Sequence, residues 1–355
     1  VPTLISRRFD LGWFVLPGLL AAAIGIAVGI FAPAPERESL GLWIVGVLLV
    51  DVAHVYASLY RTYLDPQARR LHRRRLIWAP LLCAWFGFLV HLESPLLFWT
   101  VLAYVAIFHF IKQHIGFALL YVRAGEESRL DRRLVTWTVW AGTALPVVYW
   151  HANLPTEFAW FVDGDLIRGL PAVVGTFAVW FQVPILVAFL ARRGWLAMHG
   201  RSNWMVPALV LLPVLNWNIG IVWFDDDRVF TITNVFFHGV PYLALVWVTG
   251  GRATVERGLS QLRAGRSTMP LVLAYYGLLV VLAFTEEGLW DRFVWHDHPQ
   301  LFGASTSTMN PEGFGAALLV ALLTVPQATH YLLDRWIWRV GPDNPHLAAQ
   351  LGFNR

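Results

Sequence analysis

Long apolar runs, broken at fairly regular intervals by arginine-rich clusters, dominate the chain. A membrane-spanning helix needs about 17 to 25 mostly apolar residues. Ten segments of roughly that length can be marked out: 11–31, 40–59, 76–92, 95–121, 135–150, 172–190, 205–223, 231–249, 269–285 and 313–334. The fifth and ninth are short, which leaves open eight spans with two re-entrant segments. The pattern predicts an all-α, polytopic transmembrane helix bundle, with residues 1–355 forming a single integral membrane domain.

The polar positions between the runs set an orientation. With Arg7 and Arg8 on the cytoplasmic side, alternation over ten spans puts Arg61, Arg69, Arg70, Arg73, Arg74 and Arg75 there too. Arg123, Arg129, Arg132, Arg133, Arg192, Arg193 and Arg201 follow, then Arg252, Arg257, Arg263, Arg266, Arg335, Arg339 and Arg355. Only Arg37, Arg168, Arg228 and Arg292 fall on the other side. That asymmetry is the positive-inside signature. It predicts cytoplasmic termini in a multi-pass protein of the bacterial cytoplasmic (inner) membrane. Ala32-Pro33-Ala34 after the first run resembles a signal-cleavage triplet, but the run is longer than a signal core and reads as a retained helix.

Composition agrees, at 57% hydrophobic and 14% charged residues with a mean hydropathy of +0.54, against about 25% charged in soluble domains. The net charge of +4 is accounted for by topology and by anionic lipid at the membrane surface, so nucleic acid is not an expected partner. The single cysteine, Cys83, excludes an intramolecular disulfide, a thiolate-rich zinc site and a cysteine-bound iron–sulfur cluster. Tryptophans near span ends, Trp13, Trp43, Trp150, Trp204, Trp223, Trp247, Trp336 and Trp338 among them, are expected to form interfacial belts. The aromatic-rich connections 151–171 and 286–312 are expected to lie on the membrane surface, and Arg252 to Arg266 to form a basic amphipathic helix on it.

Candidate chemistry lies in the spans. Five of the twelve histidines, His54, His109, His114, His238 and His330, sit within apolar runs, where a polar ring is costly enough to need a partner and a task. Several imidazoles at similar depth suggest metal ligation. Each precedes an arginine cluster by about 5 to 14 residues, roughly 8 to 21 Å along a helix, which predicts one buried cluster of His54, His109, His114 and His330 with His238 at its edge. Asp51 lies three residues before His54, either ligating with it, orienting its ring, or forming a buried pair that holds helices together. His109 and Gln113 stack at i,i+4, whereas His114 is rotated about 140° from His109. Lys112 either snorkels to the interface or meets an anionic group of a substrate or cofactor. Asn234 and His238 share a helical face, as do His330 and Asp334, and Asp334 either serves the site or pairs with a nearby arginine. The outer acidic group Asp225, Asp226, Asp227, Glu286, Glu287, Asp291, His296, Asp297 and His298 could bind zinc or calcium, but reads first as a solvated loop. His72, His91, His151, His199 and His346 read as loop residues.

Three motifs carry a resemblance: His54-Val55-Tyr56-Ala57-Ser58-Leu59-Tyr60-Arg61-Thr62-Tyr63-Leu64-Asp65, then Gln113-His114-x-Gly116-Phe117-x2-Leu120-Tyr121, then His330-Tyr331-x2-Asp334-x2-Ile337-Trp338-Arg339 followed by Asn344-Pro345. They resemble a widespread bacterial family of histidine-rich, multi-span membrane proteins of uncharacterised activity. A looser likeness, through Phe108-His109-Phe110 and His238-Gly239-x-Pro241, is to the membrane carotene-cleaving dioxygenases, which implies non-haem iron on intramembrane histidines. The H-x4-H spacing of His109 and His114 is similar to one box of the multi-His membrane desaturases and hydroxylases. The dioxygenases' early Pro-His-Gly-Ala element is absent from this sequence, which argues against carotene as substrate, and the desaturases' adjacent His-His pairs are absent too, so two irons would need Asp51, Asp334 or Asn234 to complete their ligands.

The expected function is a membrane-embedded, metal-dependent oxidoreductase acting on a lipophilic small molecule reached from the bilayer, with non-haem iron as cofactor. Its metal ligands would come from His54, His109, His114, His238, His330, Asp51 and Asp334, with Lys112 and Gln113 as cofactor-binding candidates. A haem-binding redox subunit, or a non-catalytic subunit or assembly factor of a larger membrane complex, is the alternative. The chain has no Gly-rich phosphate loop, Gly-x-Ser-x-Gly elbow or His-Glu-x2-His.

Overall fold

The structure, a computed structural model, describes residues 3–32, 39–156, 158–201, 203–259, 268–304, 313–342 and 344–353. Helices and their connections account for these residues, and no strand occurs among them. The long helices are α1 (Arg7–Phe31), α2 (Leu40–Arg61), α3 (Arg73–Glu93), α4 (Pro95–Ala124), α5 (Arg129–Asn153), α6 (Ala172–Met198), α7 (Met205–Trp223), α8 (Asp227–Leu259) and α9 (Thr268–Trp295). A bent pair follows, α10 (Phe314–Leu323) and α11 (Val325–Ile337).

Eight of the described helices are long and apolar enough to cross a membrane, nine if the pair bent by 44° at Thr324 counts as one span. The chain is thus a multi-pass membrane protein. The bend has a local cause, since Pro326 in the first turn of α11 has no N–H to give the preceding turn. The segment expected as a fifth span is helical, but Thr136, Thr138 and Thr143 dilute its apolar run in α5. Their hydroxyls donate back to the carbonyls of Arg132, Leu134 and Val139, at 2.9, 2.7 and 2.7 Å, and so remain satisfied within the helix.

Burial is inverted relative to a water-soluble fold. Helix α3 turns Ile77, Trp78, Leu81, Leu82, Trp85, Phe86 and Leu89 outward, and α6 turns out Val173, Phe177, Trp180, Phe181 and Val187, while Asn216, Thr233, Asn234 and His238 are fully enclosed. Such an arrangement is stable where the surroundings are hydrocarbon and polar side chains must find partners inside.

The chain divides into two compact units. The first comprises Val1–Arg37, Ala103–Pro241 and Leu351–Arg355. Here α5 packs along α6 and α7, and α1 packs on α7 and the start of α8. Small residues permit the close approaches. A Cβ at Gly142 would overlap Val214, one at Gly18 would lie 2.7 Å from the Phe237 ring, and one at Gly25 would lie 2.6 Å from the Thr233 methyl. Asp131 starts α5 with a reciprocal capping box to Ser128 and a two-point ion pair to Arg192, at 2.7 and 3.2 Å. Burial alone would raise this carboxyl, but the Arg192 and Ser128 hydrogen bonds outweigh it and hold the group at about 2.

The second unit comprises Glu38–Leu102 and Tyr242–Gln350. Helix α3 packs on α10 and α11, with Leu76, Ala79 and Leu333 forming a small core against Tyr63 and Trp336, and α9 packs on α2.

Several expectations for the connections change. Residues 158–171 pack in part onto helices of the first unit: Phe158 stacks on Trp150 at 5.0 Å between centroids and packs at a tilt against Phe230 at 4.0 Å. Asp165 ties this loop together by accepting from the amides of Phe161 and Val162 at 2.6 and 3.1 Å, although burial pushes its carboxyl up. Trp150 and Trp43 are therefore core residues and not belt residues. Of the basic amphipathic segment, Arg252–Leu259 is helical, and the rest, through Arg266, lies outside the described residues.

Candidate functional site

In the first unit, α4 and α8 bring three histidines together. His109 and His238 have ring centroids 5.1 Å apart, His114 and His238 6.3 Å, and all three rings are buried. Packing fixes their planes. Phe110 stacks on His238 at 3.7 Å and 5°, and Phe237 stacks on His114 at 5.1 Å and 27°. Gln113, a cofactor-binding candidate by sequence, donates from Nε2 to the carbonyl of His238 at 2.8 Å. That bond pins α4 to the turn of α8 that Pro241 interrupts. The 140° rotation between His109 and His114 does not keep them apart, because His238 from the neighbouring helix lies between their two directions. Lys112 is on the exposed face of α4 with Val105, Phe108 and Gly116, whereas the three imidazoles are enclosed.

His114 is the most demanding of these residues. It is 1% exposed, and neither ring nitrogen has a hydrogen-bond partner among the described residues. An imidazole always carries at least one N–H and, when neutral, one lone pair. Leaving a buried donor or acceptor unmet costs about 1 to 3 kcal/mol. A histidine placed so is suited to hold a ligand, and a metal ion would take up a ring lone pair.

In the second unit, His54 and His330 lie together with Tyr242. His54 and His330 are in edge-to-face contact with centroids 5.0 Å apart, and Tyr242 packs edge-on against both, at 5.6 and 5.2 Å. Each imidazole has a carboxylate beside Nδ1: Asp51 at 3.5 Å from His54 and Asp334 at 3.7 Å from His330. The i,i+3 and i,i+4 spacings seen in the sequence therefore pair within their helices as expected. Tyr242 is the residue that sequence reasoning missed. Its hydroxyl donates to Asp334 Oδ1 at 2.6 Å and fixes the carboxylate against His330. The only sequence signal was its position four residues after His238, which puts both on one face of α8.

The outer acidic group divides. Asp226 caps α8 and pairs with Arg228 at 2.6 Å; burial works to raise its carboxyl, but the Arg228 contacts hold it below the ordinary range. Glu286 and Asp291 are not solvated loop residues. They lie on α9 and are buried, with Trp290 Nε1 donating to Glu286 at 3.2 Å and the His298 amide donating to Asp291 at 2.7 Å. His298 stacks on Trp43 at 3.9 Å. His91 and His151 are helical and not loop residues, and the His151 ring is bonded to the Tyr104 hydroxyl and the Val147 carbonyl.

The class that fold and site define is a multi-pass helical membrane protein with buried histidine and carboxylate side chains, and two groups of three such side chains among the described residues lie close enough to hold a metal ion. Comparison with protein-family models, with curated proteins and with solved structures finds no match to this chain.

Proposed function

We propose that this is a membrane-embedded, metal-dependent oxidoreductase that acts on a lipophilic substrate, with non-haem iron as its cofactor. The observation that carries the reading is His114, enclosed beside His109 and His238 with both ring nitrogens unmet among the described residues. Iron held by imidazole and carboxylate, with positions left open, supplies oxygen-dependent oxidation. The metal ligands would come from His54, His109, His114, His238 and His330. Asp51 and Asp334 either ligate or orient the imidazole beside them, and Tyr242 holds Asp334 in place. Phe110 and Phe237 keep two of the rings in plane and exclude water from around them. We place the protein in a bacterial cytoplasmic membrane with cytoplasmic termini, on the arginine asymmetry, where the bilayer itself delivers the substrate.

Oxygen uptake tests this. Protein loaded with iron(II) in lipid vesicles and given a total lipophilic extract should consume oxygen at a rate proportional to protein. His114→Ala and His330→Ala should reduce that rate at least a hundredfold while eluting normally on gel filtration. Equal uptake by wild type and both variants would end the reading. Absorption typical of tightly bound haem would transfer it to the redox-subunit alternative.

A further inference from the structure

We propose that a polar crevice in the second unit, lined by none of the histidines named above as metal ligands, binds a phosphate-bearing anion. Its walls include Arg61, Gln67, His72, His346 and Gln350. Arg61 closes α2 and is 7% exposed. Its Nη1 donates to the Thr249 carbonyl at 2.6 Å and to Gln350 Oε1 at 2.8 Å, and Nη2 makes a long 3.4 Å bond to the Ile337 carbonyl. Nε has no partner among the described residues. The guanidinium also sits over the Trp338 ring, with Cζ 5.4 Å from its centroid.

Every one of these partners is uncharged. The Ile337 carbonyl, at the end of α11, offers the partial negative charge of a helix C-terminus, but no carboxylate comes within ion-pair distance of Arg61 among the described residues. Asp65 attracts the guanidinium without forming an ion pair, and a buried cation so weakly matched is costly. A phosphate group in the crevice would supply the charge opposite to the guanidinium.

The surroundings favour the same ligand. Gln350 has its oxygen engaged by Arg61, which leaves its amide N–H groups as donors, and the Gln67 and His346 side chains add further donors on the rim. Asp65 is the one carboxylate on the crevice, and its Oδ1 is taken by the Gln67 amide at 2.9 Å, where it caps the short helix Pro66–Leu71. Exposed Arg69, Arg70, Arg73 and Arg74 follow directly, so the local field is positive. Phosphate is the anion such a loop meets most often, on phospholipid headgroups at the membrane surface or free in solution.

The test uses delipidated full-length protein in an uncharged, phosphate-free detergent. It is titrated calorimetrically with inorganic phosphate and, separately, with short-chain phosphatidylglycerol. Saturable one-to-one binding of at least one is expected. Binding of phosphatidylglycerol alone identifies a headgroup site, and comparable binding of both identifies a free-phosphate site. Gln67→Glu and His346→Glu place a negative charge on the rim without touching any Arg61 hydrogen bond, and each should weaken binding at least tenfold. Arg129→Glu, an equal or larger charge change at an exposed position outside the crevice, should change it less than twofold. Binding of neither ligand, rim variants that bind like wild type, or an Arg129→Glu loss as large as theirs would each overturn the proposal and leave Arg61 as a clasp between helix ends.

Discussion

His114→Phe separates a ligand-holding histidine from a structural one, because the two roles predict opposite signs. Phenylalanine keeps the stacking on Phe237, seen at 5.1 Å and 27°, and removes two ring nitrogens that have no hydrogen-bond partner among the described residues. In protein stripped by a chelator, relief of the unmet polar groups is worth about 1 to 3 kcal/mol. Phenylalanine is larger than histidine, and crowding takes back up to a similar amount. The stripped variant should therefore unfold at the same temperature as wild type or up to a few degrees higher. With iron(II) or zinc at about 100 times its dissociation constant, wild type gains about 2.7 kcal/mol by mass action and the variant gains little or nothing. Thermal unfolding in one detergent, with chelator and then with metal, reads both halves. A stripped variant clearly less stable than stripped wild type would show that the ring nitrogens make bonds worth keeping. Equal stabilisation of both proteins by metal would place the ion elsewhere.

Other consequences are as direct. Asp51→Asn and Asp334→Asn, if they remove orienting carboxylates, should weaken metal binding about 10- to 100-fold without abolishing it, as read by competition with a chelating dye. Asp131→Asn removes the Arg192 pair and half of a capping box, and should cost about 1 to 3 kcal/mol of stability. Because the folded carboxyl sits at about 2, below the ordinary value of about 3.9, this contribution is present above about pH 4 and is lost as pH falls through about 2, so variant and wild type should converge in denaturation midpoint only in strong acid. Gly142→Ala sets a methyl against Val214 and should destabilise the first unit by about 1 to 3 kcal/mol, seen as a lower melting temperature. With cytoplasmic termini, a cysteine introduced at Arg73 should resist an impermeant thiol reagent added outside the cell, and one at His296 should react. The reverse pattern would invert the topology.

The helices were legible because bilayer thickness imposes a length and an apolar content on each one, so expected segments such as 40–59 and 205–223 fall on Leu40–Arg61 and Met205–Trp223 nearly end for end. Pairs within one helix were equally readable, since Asp51 with His54 and His330 with Asp334 follow from 3.6 residues per turn. What lies between helices was not. Nothing in the spacing of His109 and His114 announces that His238 meets both. Nothing local shows that Tyr242 clamps Asp334, because the contact joins residues 92 apart. Loop aromatics misled for a related reason. Trp150 suits a membrane interface by composition, yet it is buried, with Phe158 stacked on it. Glu286 and Asp291 read as solvated because acidic residues usually are, while the extension of α9 to Trp295 carries them inside.

The proposed function requires that the buried histidines hold metal. The most direct measurement is elemental analysis of detergent-purified wild-type protein, reconstituted with iron(II) and desalted, beside His114→Ala and His54→Ala carried through the same steps. A stoichiometric amount of iron is expected in wild type, with its loss from both folded variants. Wild-type protein that stays free of iron, zinc and manganese after reconstitution, or variants that retain the wild-type amount, would contradict the proposed function.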